Sequence, residues 1–227
     1  MDTVGLPFLF TVLVLTPGLG ILSWHYLRKN KIFPKEKRYS LYIAAQVWLL
    51  ILALAAAAAE KISLFPARLP SSRAWIFGAI FLSVIVAQLR FGWRRMEESA
   101  KQRFRLFLPE TQKEFWYWVP VSVVAGAGEE CAYRGAAYAL LVLITRSDWK
   151  ALVLCVLAFA LAHLGQGWKS AAKIGIFGLL SHVAVFLTGS LYLSIAVHIA
   201  YDLLVGWLVV RLLTKEGIGA ARSVALP

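Results

Sequence analysis

The sequence predicts an all-α bundle of membrane helices, and three observations carry that class. Of the 227 residues, 60% are hydrophobic and only 16% charged, and the mean hydropathy is +0.69. A soluble domain of this length carries more charge and fewer apolar side chains. Several apolar runs approach the ~20 residues that a helix needs to cross a ~30 Å hydrocarbon core. The lysines and arginines gather between those runs, where such residues set topology. The chain reads as a multi-pass integral membrane protein.

Seven spans follow in order, with eight as the alternative count. The first, Leu6–Leu27, follows an acidic start, Met1-Asp2, and its positive charges come after it, unlike a cleavable signal. Leu41–Ala59 and Ala74–Leu89 are uninterrupted apolar runs. Next comes "FGWRRMEESAKQRFRLFLPE", Phe91 to Glu110, in which Phe91, Trp93, Met96, Ala100, Phe104 and Leu106 recur among basic residues at near-helical spacing. That is the pattern of an amphipathic helix on the cytoplasmic surface, with an ordinary basic loop as the alternative. Phe115–Ile144 is too long for one perpendicular crossing. It is a tilted helix, an interfacial turn followed by a span, or two segments broken near Gly126 and Gly128. Ala151–Gly165, Ala171–Leu187 and Leu191–Leu213 complete the set. The chain divides into N-terminal helices with the amphipathic segment (1–114), a helical core (115–213) and a tail (214–227).

The formal charge of +12 does not point to nucleic acid, because the basic residues are not interleaved with aromatics on a polar surface. No Gly-rich phosphate loop, low-complexity tract or fixed-period repeat occurs. Cys131 and Cys155 both fall inside apolar runs, so no disulfide framework is expected.

The question is posed by "VAGAGEECAYRG", Val124 to Gly135, where Glu129, Glu130 and Arg134 interrupt a run otherwise fit for lipid. A charge at the bilayer centre costs about 2.5–3.5 kcal/mol on translocon scales, so such residues mark a functional site by default. Glu130 and Arg134 stand four apart with the acid first, the favourable ion-pair order on one helix face. Glu129 points about 100° away from Glu130 on an α-helix and has no cation nearby in sequence, which leaves it free for general acid or base work. His163 closes "LAFALAH", and His198 and Asp202 share a face of the last span, four apart. A lone histidine in an apolar helix is ordinarily structural, and His182 is read so. Three helices that each bring polar groups point instead to a shared site. Glu, His, His and Asp together can ligate a metal, or activate water and stabilise an oxyanion.

At these residues the sequence resembles the CPBP family (CAAX proteases and bacteriocin-processing enzymes, also called Abi), which includes the type II CAAX prenyl endopeptidase. "EECAYRG" is similar to its EExxxR motif, "FALAH" (Phe159 to His163) to FxxxH, and "HIAYD" (His198 to Asp202) to HxxxN/D. The resemblance covers about Trp116 to Leu213; the first three spans match only in being hydrophobic. It implies an intramembrane protease in which Glu129 activates water with His163. His198 and Asp202 would line the pocket of the tetrahedral oxyanion, and Glu130 with Arg134 would support the site. Its best-studied prenyl proteases carry Asn where this chain has Asp202. An ionised Asp cannot donate a hydrogen bond to an oxyanion, so Asp202 must be protonated, orient His198, or ligate a metal.

The expected activity is therefore hydrolysis of a peptide bond in a membrane-associated protein, with the bilayer as the other partner and no nucleic acid. A glutamate mechanism without metal is favoured by the resemblance. Zn²⁺ held by Glu129, His163, His198 and Asp202 is the alternative, though no HExxH-type spacing supports it. A non-catalytic scaffold or immunity-type protein is the rival from another class. A proton- or ion-coupled transporter ranks below it for want of duplicated, broken halves. In the seven-span reading His163 falls near the cytoplasmic end of its span, so either that helix continues past Gly165 or the cavity opens to the cytoplasm.

Orientation follows from charge. One side collects six Lys and Arg in the 28–38 loop, seven in 90–113, two in 169–173 and three at the C-terminal end, against Lys61, Arg68, Arg73, Arg146 and Lys150 on the other. The positive-inside rule places the first set, and the C-terminus, in the cytoplasm of a plasma (inner) membrane protein. Cysteines introduced at Lys31 and at Arg68 should respond oppositely to an impermeant thiol reagent applied outside. Labelling at Lys31 in intact cells would overturn this topology.

Overall fold

The computed structural model describes residues 4–27, 35–66 and 69–216. Lys31, Arg68, most of the 28–38 loop and the tail beyond Glu216 lie outside the described residues. Within them the chain is helical, with no strand. Helix α1 (Gly5–Phe10) passes through a π turn, Thr11–Leu15, into α2 (Thr16–Leu27). Helices α3 (Lys35–Ala59), α4 (Ser72–Gly92) and α5 (Glu98–Phe107) follow. Then α6 (Gln112–Glu129) runs through a second π turn, Glu130–Ala136, into α7 (Ala137–Thr145). The chain ends with α8 (Asp148–Ala162), α9 (Trp168–Thr188) and α10 (Tyr192–Lys215).

Among the described residues five helices are long and apolar enough to cross a membrane: Gly5–Leu27, Lys37–Ala59, Ser72–Arg95, Trp168–Thr188 and Tyr192–Lys215. Their outer faces carry Phe77, Phe186 and Leu187 at 71%, 80% and 77% exposure, the surface of an integral membrane protein. Seven spans are not reached by this measure, and the reason differs for the two that fall short. The expected span Phe115–Ile144 is one rod, α6–α7, with Glu129, Glu130 and Arg134 in its middle. Its interruption is the π turn rather than a break at Gly126 or Gly128. The expected span Ala151–Gly165 becomes α8, whose 15 residues reach only about 22 Å at 1.5 Å per residue. That is short of the hydrocarbon thickness.

The segment from Phe91 to Glu110 is not one amphipathic helix. A 3₁₀ turn, Trp93–Arg95, ends at Met96 in extended conformation (ψ 134°), and α5 starts afresh after it. The break turns Trp93 inward. Its ring, 1% exposed, packs on Leu208, Val209, Leu212 and Leu213 of α10, and its Nε1 donates to Glu216 Oε1 at 2.8 Å. Lys101 pairs with Glu98 at 2.8 Å and reaches Glu216 at 3.8 Å. The basic stretch is thus tied to the end of α10.

The main core surrounds the second π turn. Phe8 and Val12 from the first rod, Ala53 and Ala56 from α3, and Cys155 and Phe159 from α8 close on Cys131 to Leu141. Both cysteines are buried and free. Helix α3 lies along α6, α10 packs on the other side of α6, and α8 packs against α9. The charged stretch of the sequence therefore occupies the centre of the bundle.

Candidate active site

The long rod begins with a cap: Thr111 Oγ1 accepts from the Glu114 backbone N–H at 3.1 Å, and Glu114 Oε2 accepts from the Glu110 N–H at 2.8 Å. Eighteen residues on, α6 reaches Glu129 at its last position and widens into the π turn. Such turns break the regular progression of side chains and recur at functional sites. Here the widening lets two consecutive carboxylates serve different neighbours.

Glu129 faces outward from the core towards two imidazoles. Its Oε2 lies 3.9 Å from His163 Nε2 and 3.7 Å from His198 Nε2, and its Oε1 accepts a 2.6 Å hydrogen bond from Gln46 Nε2. Glu130, fully buried, turns to the other side. Its Oε1 accepts from His198 Nδ1 at 2.8 Å and stands 3.3 Å from Arg134 Nη1. His198 therefore bridges the pair of glutamates, one at each ring nitrogen. A carboxylate only accepts, so Nδ1 carries the proton towards Glu130.

Arg134 is the expected partner of Glu130, in an altered geometry. The 3.3 Å contact is an ion pair rather than a hydrogen bond, and no guanidinium nitrogen has a hydrogen-bond partner among the described residues. The π turn displaces the i, i+4 alignment of an α-helix. The guanidinium lies instead over the Phe159 ring, 4.1 Å from its centroid, where a cation–π contact is favourable away from water.

His163 is placed by the end of α8. The helix stops at Ala162, a 3₁₀ turn covers Leu164–Gln166, and Gly167 takes φ 102°, a conformation that residues with a side chain rarely adopt. The helix does not continue past Gly165. His163 Nδ1 donates to the Phe159 carbonyl at 2.8 Å, since a carbonyl can only accept, and Nε2 is the ring nitrogen that faces Glu129. Asp202 lies one turn beyond His198 with Oδ2 3.9 Å from Nε2, too far for a direct hydrogen bond. Trp118 Nε1 donates to the Asp202 carbonyl at 2.9 Å, which holds α10 against α6. His182 keeps a local contact, Nδ1 to the Gly178 carbonyl at 3.1 Å. It stays outside the group, as expected.

Glu129, His163, His198 and Asp202 are thus brought together, with Glu130 and Arg134 directly behind them. Sequence reasoning missed two participants. Gln46 lies in a span taken as merely hydrophobic; the signal was a lone amide within "LYIAAQVWLL". The other is Tyr133, which shares a 2.8 Å hydrogen bond with Thr16 of the first rod. Glu130, expected to support the site together with Arg134, also holds His198. Among the described residues no three His, Cys, Asp or Glu side chains form a group that could hold a metal ion.

Residues 111–204, which contain all six site residues read from the motifs, match the family described as type II CAAX prenyl endopeptidase Rce1-like. No curated protein and no solved structure gives a significant match.

Arg134 and Glu130 are both 0% exposed at their side chains, so removal of one strands the other. Breaking a buried pair by deleting one partner costs about 3–5 kcal/mol. Arg134→Ala should lower the folded yield in membranes and the melting temperature in detergent, and Arg134→Lys should recover only part of the loss because it cannot cover the Phe159 ring as a planar guanidinium does. Unchanged yield and melting in Arg134→Ala would refute the structural role.

Proposed function

We propose that the chain, whose residues 111–204 match the type II CAAX prenyl endopeptidase Rce1-like family, is a membrane protease of the CPBP kind that hydrolyses peptide bonds by a glutamate-activated water. The observation that carries this reading is the approach of Glu129 Oε2 to both imidazole Nε2 atoms, at 3.9 and 3.7 Å, from three segments far apart in the sequence. Those separations are too long for direct hydrogen bonds and suit a water held between carboxylate and imidazole.

In the proposed reaction Glu129 Oε2 takes a proton from that water, with His163 Nε2 as its second acceptor. The hydroxide adds to the scissile carbonyl, and the oxyanion forms on the side of His198. A proton on His198 Nε2 makes the ring a charged donor to that oxygen, and Glu130 at 2.8 Å from Nδ1 balances the charge. In a low-dielectric site such a preorganised donor is worth far more than in water. The tetrahedral carbon then expels the amine, which receives the proton from Glu129, and the products are a carboxylate and an amine. Asp202, protonated, adds a second hydrogen bond to the oxyanion. No step passes through a metal. The substrate is a membrane-associated protein, and we propose the plasma (inner) membrane, C-terminus inside, from the basic bias of one set of loops.

The test uses an internally quenched, farnesylated CAAX peptide in lipid vesicles, together with a comparison of membrane proteins from cells with and without the gene. Glu129→Gln keeps shape and removes the base, and should accumulate normally yet lose cleavage by ~10²–10⁴-fold. His163→Ala and His198→Ala should fail comparably, and their combination should be little worse, because the residues act as a unit. Asp202→Asn, a permanent donor, should retain activity. A chelator should leave the wild type active; activity lost to chelation and rescued by Zn²⁺ would replace this mechanism with a metal-dependent one. A scaffold would keep its biological effect in every variant, and a transporter would lose flux with no cleaved product. Full activity in Glu129→Gln would sink the proposal.

A further inference from the structure

We propose that Gln46, on α3 and outside the family-matched segment, is a positioning residue that fixes which oxygen of Glu129 reacts. The inference rests on Glu129 being the base. A glutamate's terminal torsion is broad and nearly two-fold, so a free carboxylate presents either oxygen, or neither, to its neighbours. The 2.6 Å bond from Gln46 Nε2 engages Oε1 and leaves Oε2 facing His163 and His198. The amide orientation follows from chemistry: an ionised carboxylate can only accept, so the nitrogen of Gln46 must face it. Gln46 Oε1, turned away, is buried with no hydrogen-bond partner among the described residues. An arrangement that satisfies Glu129 while leaving its own oxygen unpaired is poor adhesive between helices, where an amide normally uses both ends.

A second observation concerns how Gln46 comes so near. A Cβ at Gly128 would lie 2.8 Å from the Gln46 carbonyl oxygen and 3.3 Å from its Oε1. Only a bare Cα lets α3 bring the amide beside the last turn of α6. Gly128 and Gln46 form one device, a glycine seat one residue before the base and an amide seated on it.

The bland reading makes Gln46 a helix–helix contact, and the experiment separates the two. Gln46→Leu keeps volume and deletes the donor. With the quenched farnesylated peptide its kcat should fall about 10²-fold, the loss that a misplaced reacting group can cause, with KM and detergent melting near wild type. Gln46→Glu should be inactive at neutral pH, where two carboxylates face each other, and should recover as pH falls and the pair shares one proton. A contact role would move melting and show no such pH response. Infrared spectra of ¹³C-glutamate-labelled protein give a readout that needs no turnover. The wild type minus Glu129→Gln difference isolates the Glu129 carboxylate band, and Gln46→Leu should shift it. An unmoved band, or unchanged kcat in Gln46→Leu beside an inactive Glu129→Gln, overturns the positioning role alone. An active Glu129→Gln instead overturns the reaction on which it rests.

Discussion

One buried carboxylate organises the centre of this protein. Glu130 is 0% exposed, and its Oε1 is shared by His198 Nδ1 at 2.8 Å and Arg134 Nη1 at 3.3 Å. An ionised group in such a place is tolerated only where opposite charge meets it. The first of these contacts draws α10 against the π turn, and the second keeps the guanidinium in the core. Arg134 in turn lies over Phe159 of α8, whose carbonyl holds His163 Nδ1 at 2.8 Å. Satisfying one acid therefore sets the direction of two histidines on two other helices.

Adjacent glutamates divide the remaining work. Glu130 looks into the core and is consumed by structure; Glu129 looks towards the imidazoles, and its contacts are longer, at 3.7–3.9 Å. A regular α-helix would separate them by 100° and continue. The π turn that begins between them lets the rod carry both without breaking. The glycine after the 3₁₀ turn at the end of α8 serves a similar purpose, because it ends the helix where His163 must turn inward. Irregular backbone is tolerated within a membrane only where protein encloses it, as it does the π turn.

The boundary between bundle and surroundings follows the same logic in reverse. Large apolar side chains on α4, α8 and α9 point outward, while the charged middle of the α6–α7 rod is enclosed. Trp93 and Glu216 fasten the basic stretch after α4 to the end of α10, so a segment that resembled a surface helix is part of the scaffold holding the last span.

The sequence by itself determined the helical membrane class, because apolar runs near 20 residues have few other stable states in lipid. It also determined which acids and histidines would meet. Each is expensive in an apolar helix, so its presence is a signal that needs no coordinates, and the i, i+4 spacings of Glu130 with Arg134 and His198 with Asp202 are local. The tertiary structure alone decided the rest. That Glu130 holds His198, that Gln46 holds Glu129, and that Tyr133 meets Thr16 are contacts across 68, 83 and 117 residues, and no periodicity encodes a distance between helices. The span count shifted for a related reason. Hydropathy registers the length of an apolar run, whereas the end of α8 and the widening of the long rod are set by backbone hydrogen bonds and by neighbours packed against them.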